Sequence, residues 1–306
     1  MKQFRQPCIL SILLATMIWF LADSVSLRTA AVEALSLCAR SVIPALFPFL
    51  VVSSMLVGLG FSTWMTPWCS GLMTSLFRLP GCAGSALILG LVAGYPVGAR
   101  TAADLYRTHM LTRSEAQRLT VFCNNSNPVF LISVLGSGVF HSVRVGIWLW
   151  LIHVASALLT GILFCGHRAA SDRRRIPQPS VPSLPSVPAA FVTSVRSAGE
   201  TMVTVCAFIV LFYTLSSPLT PIRPPLGPML VGILELFSLS PLLSNDAPGF
   251  ILAAGCSGWG SLSVLCQTAA VLEDADLSLR PCVLGKLCQG VLSALLAIPA
   301  VHWLFP

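Results

Sequence analysis

The sequence predicts an all-α polytopic membrane protein built from two related halves. Three observations carry that prediction. Of 306 residues, 55% are hydrophobic and 9% charged, and mean hydropathy is +0.84. A soluble domain carries roughly 25% charged residues, so lipid is the solvent that suits this composition. Apolar segments recur at about 7–22, 42–61, 82–99, 116–140, 142–166, 190–214, 229–245, 248–272 and 282–305. Similar features then recur in the same order on either side of a polar linker.

Taken in order, residues 1–22 begin MKQFRQPCILSILLATMIWFLA, a basic start followed by a short apolar run. That resembles a secretory signal, but Phe20 stands where cleavage after Ala22 would need a small residue, so an uncleaved transmembrane helix is expected. The first half covers 23–166. Within it, 42–61 reads SVIPALFPFLVVSSMLVGLG, and Pro44 and Pro48 near its start disfavour a straight spanning helix. This run is read as a re-entrant hairpin. Residues 167–189 are rich in Pro, Ser and Arg, cannot build a core, and are expected to form an extended cytosolic linker. The second half covers 190–306.

The halves share order more than identity. Ala39-Arg40-Ser41 corresponds to Val195-Arg196-Ser197. LILGLVAGYPVG (87–98) corresponds to MLVGILELFSLS (229–240), with Gly90 opposite Gly232. FCNNSNP (122–128) corresponds to GCSGWGS (255–261), with Cys123 opposite Cys256. Paired interrupted hydrophobic segments of this kind point to a transporter site. Loop charge suggests how the halves sit. If all nine segments span with the N-terminus inside, the loop holding Arg100, Arg107 and Arg113 falls outside, against the positive-inside bias. If 42–61 and its counterpart near 200–214 are re-entrant, that loop and the run Arg168, Arg173, Arg174, Arg175 both fall inside. Seven spans plus two hairpins, as an inverted repeat, is therefore expected; eight or nine full spans is the alternative.

Composition excludes several functions. The net charge of +7 reflects the same positive-inside bias, and no aromatic interleaving builds a nucleic-acid platform. The eleven cysteines are scattered with no Cys-x-x-Cys pair and read as small buried hydrophobes. His109, His141, His153, His167 and His302 are dispersed, so neither metal nor other cofactor is expected. No HExxH, GxSxG or P-loop is present, and no enzyme is expected. The implied partners are a lipid bilayer and a small solute; the sequence names no protein partner.

The candidate site begins at Asn124, Asn125, Ser126 and Asn127, four polar side chains in a membrane-depth run, followed by Pro128. An unpaired amide in hydrocarbon costs several kcal/mol. One Asn would serve as interhelical glue worth about 1 kcal/mol. Four consecutive polar residues point all round a helix, and Pro128 disturbs the turn before it. Non-helical backbone at this depth is tolerated where it lines a cavity, so a broken helix is expected, with packing as the other reading. Ser257 and Gly258, in CSGWG (256–260), are expected to offer exposed backbone opposite. Gly94, Tyr95, Pro96 and Gly98 form a second break, or else a plain helix end with a belt aromatic. Arg100 follows, facing headgroups or an anionic solute. Glu235 lies mid-segment where the first half has GYPVG, a candidate for coupling or gating. Glu200 is four residues after Arg196, and an i, i+4 ion pair is its simplest role.

RSVIPALFPFLV (40–51), GYPVGARTAADL (94–105) and VFCNNSNPVFLISVLGSG (121–138) resemble the YlbJ-type sporulation integral membrane proteins of the nucleoside-recognition, or Gate, superfamily. The resemblance is densest over about 40–165 and looser over 195–300. It implies two Gate-like halves and transport of dipicolinic acid by alternating access across the outer forespore membrane of a spore former. Side-chain amides can donate to the carboxylates of such a solute, and Arg40, Arg100 or Arg196 could offer charge. The alternatives are transport of a nucleoside or other small solute, and a non-transporting scaffold in spore assembly.

Overall fold

A computed structural model describes residues 2–165 and 186–305, and within them the chain is helical throughout. The body of the expected linker and its arginine run lie outside the described residues. The helices are α1 (Lys2–Ala22), α2 (Ser24–Leu37), α3 (Ile43–Gly58), α4 (Phe61–Leu76), α5 (Ala83–Ala93), α6 (Val97–Arg107) and α7 (Arg113–Thr120). A π-helical segment, Val129–Val139, precedes α8 (Val143–Leu163). Then come α9 (Val187–Ser216), α10 (Leu226–Leu234), α11 (Leu236–Leu239), α12 (Ala247–Trp259), α13 (Leu262–Glu273) and α14 (Arg280–Leu304).

Burial is inverted relative to a soluble protein. Leu21, Val203 and Trp303 are 74%, 71% and 74% exposed, while Asn124, Asn125, Lys286 and Gln289 are fully buried. Lipid faces the outer surface, and the polar groups are turned inward. Among the described residues, five stretches are long and apolar enough to cross a bilayer: Ser24–Gly58, Val143–Leu163, Val187–Leu219, Ala247–Glu273 and Arg280–Leu304. The chain is a polytopic integral membrane protein.

The ends of the elements sort into two faces. Arg113 pairs with Asp276 at 3.3 Å, and Leu111, Leu272, Ala275 and Leu277 share one core cluster. The end of α6, the start of α7 and the end of α13 therefore lie together. At the far end of the broken α12–α13 run, Phe250 meets Phe140 and Phe305, which follow the π segment and α14. On the first face, the start of α9 shares a cavity with Gly58 and Asp104; on the second, Tyr213 near its end reaches Glu33.

Two short-helix hairpins enter this body from opposite faces. One is α5–α6, based beside α7 on the first face. The other is α10–α11, which follows the end of α9 on the second. Among the described residues, the five long stretches with the shorter apolar helix α1 and the interrupted run 113–139 make seven apolar runs beside the two hairpins. That is the expected number with two roles exchanged. The run 42–61 does not form a hairpin, because Ile43–Gly58 continues a helix from Ser24 about 50 Å long. Pro44 and Pro48 are accommodated rather than disruptive. The π turn Cys38–Val42 re-routes the backbone bonds that a proline at the first turn of α3 would interrupt. The counterpart 200–214 is likewise the continuous second part of α9. The hairpins fall at 83–107 and 226–242, one element further along each half. Helix α4 has both ends on the first face and exposes Trp64 and Trp68, as a helix at the interface does.

Candidate functional site

The interrupted run 113–139 opens where the sequence places Pro128. Proline lacks an N–H, clashes with the carbonyl four residues earlier and drives its predecessor out of helical conformation. Residues 124–127 are non-helical. Asn127 caps the resumption, its Oδ1 accepting from Phe130 N at 2.7 Å. The carbonyl of Cys123 wedges between Gly90 and Gly98 of the first hairpin, where a Cβ on either glycine would collide with it. At the hairpin tip, Gly94 has φ +87°, and a Cβ there would lie 2.9 Å from Asn127 Cβ. Glycine is needed at these positions for closeness as well as conformation.

The second break falls at Gly260–Ser261, slightly later than expected. Ser257 and Gly258 remain helical in α12, because Gly260 supplies the left-handed C-cap (φ +86°) that ends it. Ser261 also has positive φ (+86°), a conformation held at a cost of order 1–3 kcal/mol for a non-glycine residue. Its hydroxyl caps α13 by accepting from Val264 N. Gly258 packs against Gln289 and Gly290 of α14. The Ser257 carbonyl accepts from Tyr95 Oη at 3.3 Å, so the first hairpin tip rests on the second half's break. Glu235 sits at the tip of the second hairpin, as the correspondence with GYPVG predicts. It starts α11, its Oε2 accepting from Ser238 N (2.6 Å) and Ser238 Oγ (2.9 Å). Phe237 beside it packs edge-on against Phe130 of the first half, with centroids 4.8 Å apart.

Two hairpin tips and two helix breaks thus converge. Between them is a cavity of about 40 Å³, lined by Tyr95, Ser126, Asn127, Glu235 and Gln267 with apolar side chains of α3, α9 and α13. It has room for a few waters at most and is far smaller than the several hundred Å³ of a typical ligand pocket. The tips and breaks leave little free volume between them.

The four expected polar residues divide by role. Ser126 and Asn127 line the cavity. Asn124 and Asn125 stand behind it: Asn124 Nδ2 donates to Thr268 Oγ1 (2.7 Å), and Asn125 donates to the Phe122 carbonyl (2.8 Å) and accepts from Gln289 (3.0 Å). Asn124 Oδ1, Ser126 Oγ and Ser257 Oγ are buried with no hydrogen-bond partner among the described residues. Arg100 is half-buried and donates to Thr201 and Ser197 of α9. It stands between cavities of about 380 and 190 Å³, and the smaller shares Gln267 and Val205 with the central one. Arg40, on the π turn, and Arg196 and Glu200, on α9, are exposed. No ion pair joins Arg196 to Glu200, which corrects the expected pairing.

Sequence reasoning missed three residues. Lys286, fully buried on α14, donates to Gln289 Oε1 (2.7 Å) and Tyr95 Oη (3.1 Å). Gln289 joins it to Asn125 and to the neighbourhood of His153. His153 Nε2 accepts from Ser126 N at 3.1 Å. A signal for Lys286 was present: it is the only lysine besides Lys2 in a chain whose other cations are arginines, and it sits in an apolar run.

Residues 39–171 match the Gate family, described as nucleoside recognition. The chain is similar to YlbJ nearly end to end. Identity to that sporulation integral membrane protein of Bacillus subtilis (strain 168) is 29% over 330 aligned positions, 93% of this chain and 81% of YlbJ. No solved structure matches. The resemblance drawn from the three sequence stretches is borne out. The Gate match runs from the π turn through the first hairpin and first break to the end of α8. The second hairpin and break lie beyond it, and only the similarity to YlbJ reaches them.

Proposed function

We propose that this chain is a solute carrier of sporulation that moves dipicolinate across the outer forespore membrane by alternating access. The reading is of a carrier, not an enzyme. One observation carries it: two oppositely inserted hairpin tips meet two helix breaks around a small polar cavity inside a lipid-facing body. Discontinuous helices at the interface of inverted repeats are how many secondary transporters hold their substrate. The similarity to YlbJ supports a role in sporulation. The positive-inside bias favours a cytoplasmic position for the face bearing Arg107, Arg113 and Arg118. Ser126, Asn127 and Gln267 offer donors suited to a flat dicarboxylate, and Arg100 lines the approach.

Uptake into liposomes containing only this protein tests the reading, with uridine as competitor and Ser126→Ala/Gln267→Leu as the cavity variant. Saturable dipicolinate uptake, insensitive to uridine and reduced at least tenfold in the variant, is expected. Inhibition by uridine would point instead to a nucleoside carrier, and no uptake above empty liposomes would remove the carrier reading.

A further inference from the structure

Lys286 is the charge at the centre of the fold that the arrangement leaves unexplained. It is fully buried, and among the described residues no carboxylate lies within ion-pair distance of it. Its two hydrogen-bond partners, Tyr95 and Gln289, are neutral, and its Nζ also lies 4.9 Å from the centre of the Tyr95 ring. A buried ammonium without a counter-ion is costly, and intramembrane charges mark substrate or ion pathways. Tyr95 stands between it and the cavity: Tyr95 lines the cavity, Lys286 does not, and the Tyr95 hydroxyl accepts from Lys286. Tyr95 belongs to the first hairpin tip, and its hydroxyl meets the opposite half at two points, the Ser257 carbonyl and Lys286 Nζ. Around the same point Asn124 Oδ1, Ser126 Oγ and Ser257 Oγ lack partners among the described residues.

We propose that Lys286 is the residue that recognises a carboxylate of the transported solute, and that Tyr95 screens it while the site is closed. When the hairpin tip withdraws, the ammonium exchanges the Tyr95 hydroxyl for the substrate carboxylate, with Gln289 holding its position. The inference rests on the carrier reading above and adds the residue by which an anion is preferred to a neutral solute of the same shape. Cationic Lys286 supplies the counter-charge, and Ser126 on the cavity wall a further donor.

The test compares binding of dipicolinate with binding of its neutral isostere, pyridine-2,6-dicarboxamide, to purified full-length protein. Wild type is expected to favour the dicarboxylate at least tenfold, and Lys286→Gln to bring the ratio within about threefold of unity. A ratio unchanged in Lys286→Gln would make Lys286 a structural donor and overturn the proposal. Wild-type protein that binds neither compound would remove the carrier reading itself, and the inference with it. Should Lys286→Gln not fold, wild type still decides. Since Lys2 is the other lysine, mass spectrometry reads acylation of Lys286 by a small neutral activated ester, whose alcohol leaves as the amide forms, separately from that of Lys2. Dipicolinate is expected to slow that acylation at least fivefold, with Lys2 unaffected and the diamide without effect. Equal rates with and without dipicolinate, or no acylation under transport conditions, would overturn it.

Discussion

At the residue scale, the four polar side chains that interrupt the first half differ in what they support. Asn125 holds the Phe122 carbonyl and the Gln289 amide, both buried, so Asn125→Ala strands the carbonyl and leaves Gln289 Nε2 only its 3.4 Å contacts to His153. Each stranded buried group costs about 1–3 kcal/mol, and thermal unfolding followed by tryptophan fluorescence should show a loss of roughly 2–4 kcal/mol. Ser126 Oγ has no partner among the described residues, so Ser126→Ala should unfold within about 0.5 kcal/mol of wild type while its dipicolinate uptake falls. Equal destabilisation by both would mean that Ser126 is packing rather than site. The sequence made this stretch legible because four polar groups before a proline conflict with an apolar helix on every face. It did not separate the pair that lines the cavity from the pair behind it, since that division depends on Thr268 and Gln289, more than 140 residues away. Lys286, Gln289 and His153 escaped notice for a related reason. A single polar residue in an apolar helix reads as glue, and only its partners distinguish glue from site.

At the element scale, Pro44 and Pro48 misled where glycines did not. A proline pair suggests a broken helix, yet one π turn absorbs the first, and α2–α3 continues as a span. Gly90, Gly94 and Gly98 mark the true hairpin, because the Cys123 carbonyl and Asn127 approach where no side chain fits. The Gly90–Gly232 correspondence paired the two segments that prove to be hairpins, though the turn-backs were expected at 42–61 and near 200–214, and Glu235 falls at the second tip. What the sequence could not show was which apolar run of each half turns back, since 11-residue and 16-residue helices look alike without their contacts. Opposed hairpins carry a direct consequence. The loop after α6 and the loop before α12 should lie on opposite sides of the membrane. Cysteines introduced as Thr108→Cys and Asn245→Cys should react with an impermeant maleimide from opposite faces of oriented vesicles. Reaction from one face would make the repeats parallel.

At the scale of the whole molecule, each half is held at the other's break. Tyr95 of the first hairpin rests on Ser257 and Lys286 of the second half, and Phe237 of the second hairpin rests on Phe130 of the first. Behind them, α8 and α14 are pinned by the Ser156–Ser293 hydroxyl pair at 2.7 Å and by His153 beside Gln289. That distinguishes two tips, each resting on the opposite half, from a pair of helices bonded to one another. A cavity of about 40 Å³ cannot admit a pyridine dicarboxylate, so binding must draw at least one tip away. Because both tips wall one cavity, a change at either alters the surroundings of the other. Hydrogen exchange should therefore respond to saturating dipicolinate in peptides covering 94–98 and 235–238 together, by at least threefold in rate. Peptides from the middle of α8 and α14 should not change. A response confined to one tip would indicate a single gate over a fixed site, and a response spread evenly through α8 and α14 would dissolve the distinction between tips and scaffold on which alternating access depends.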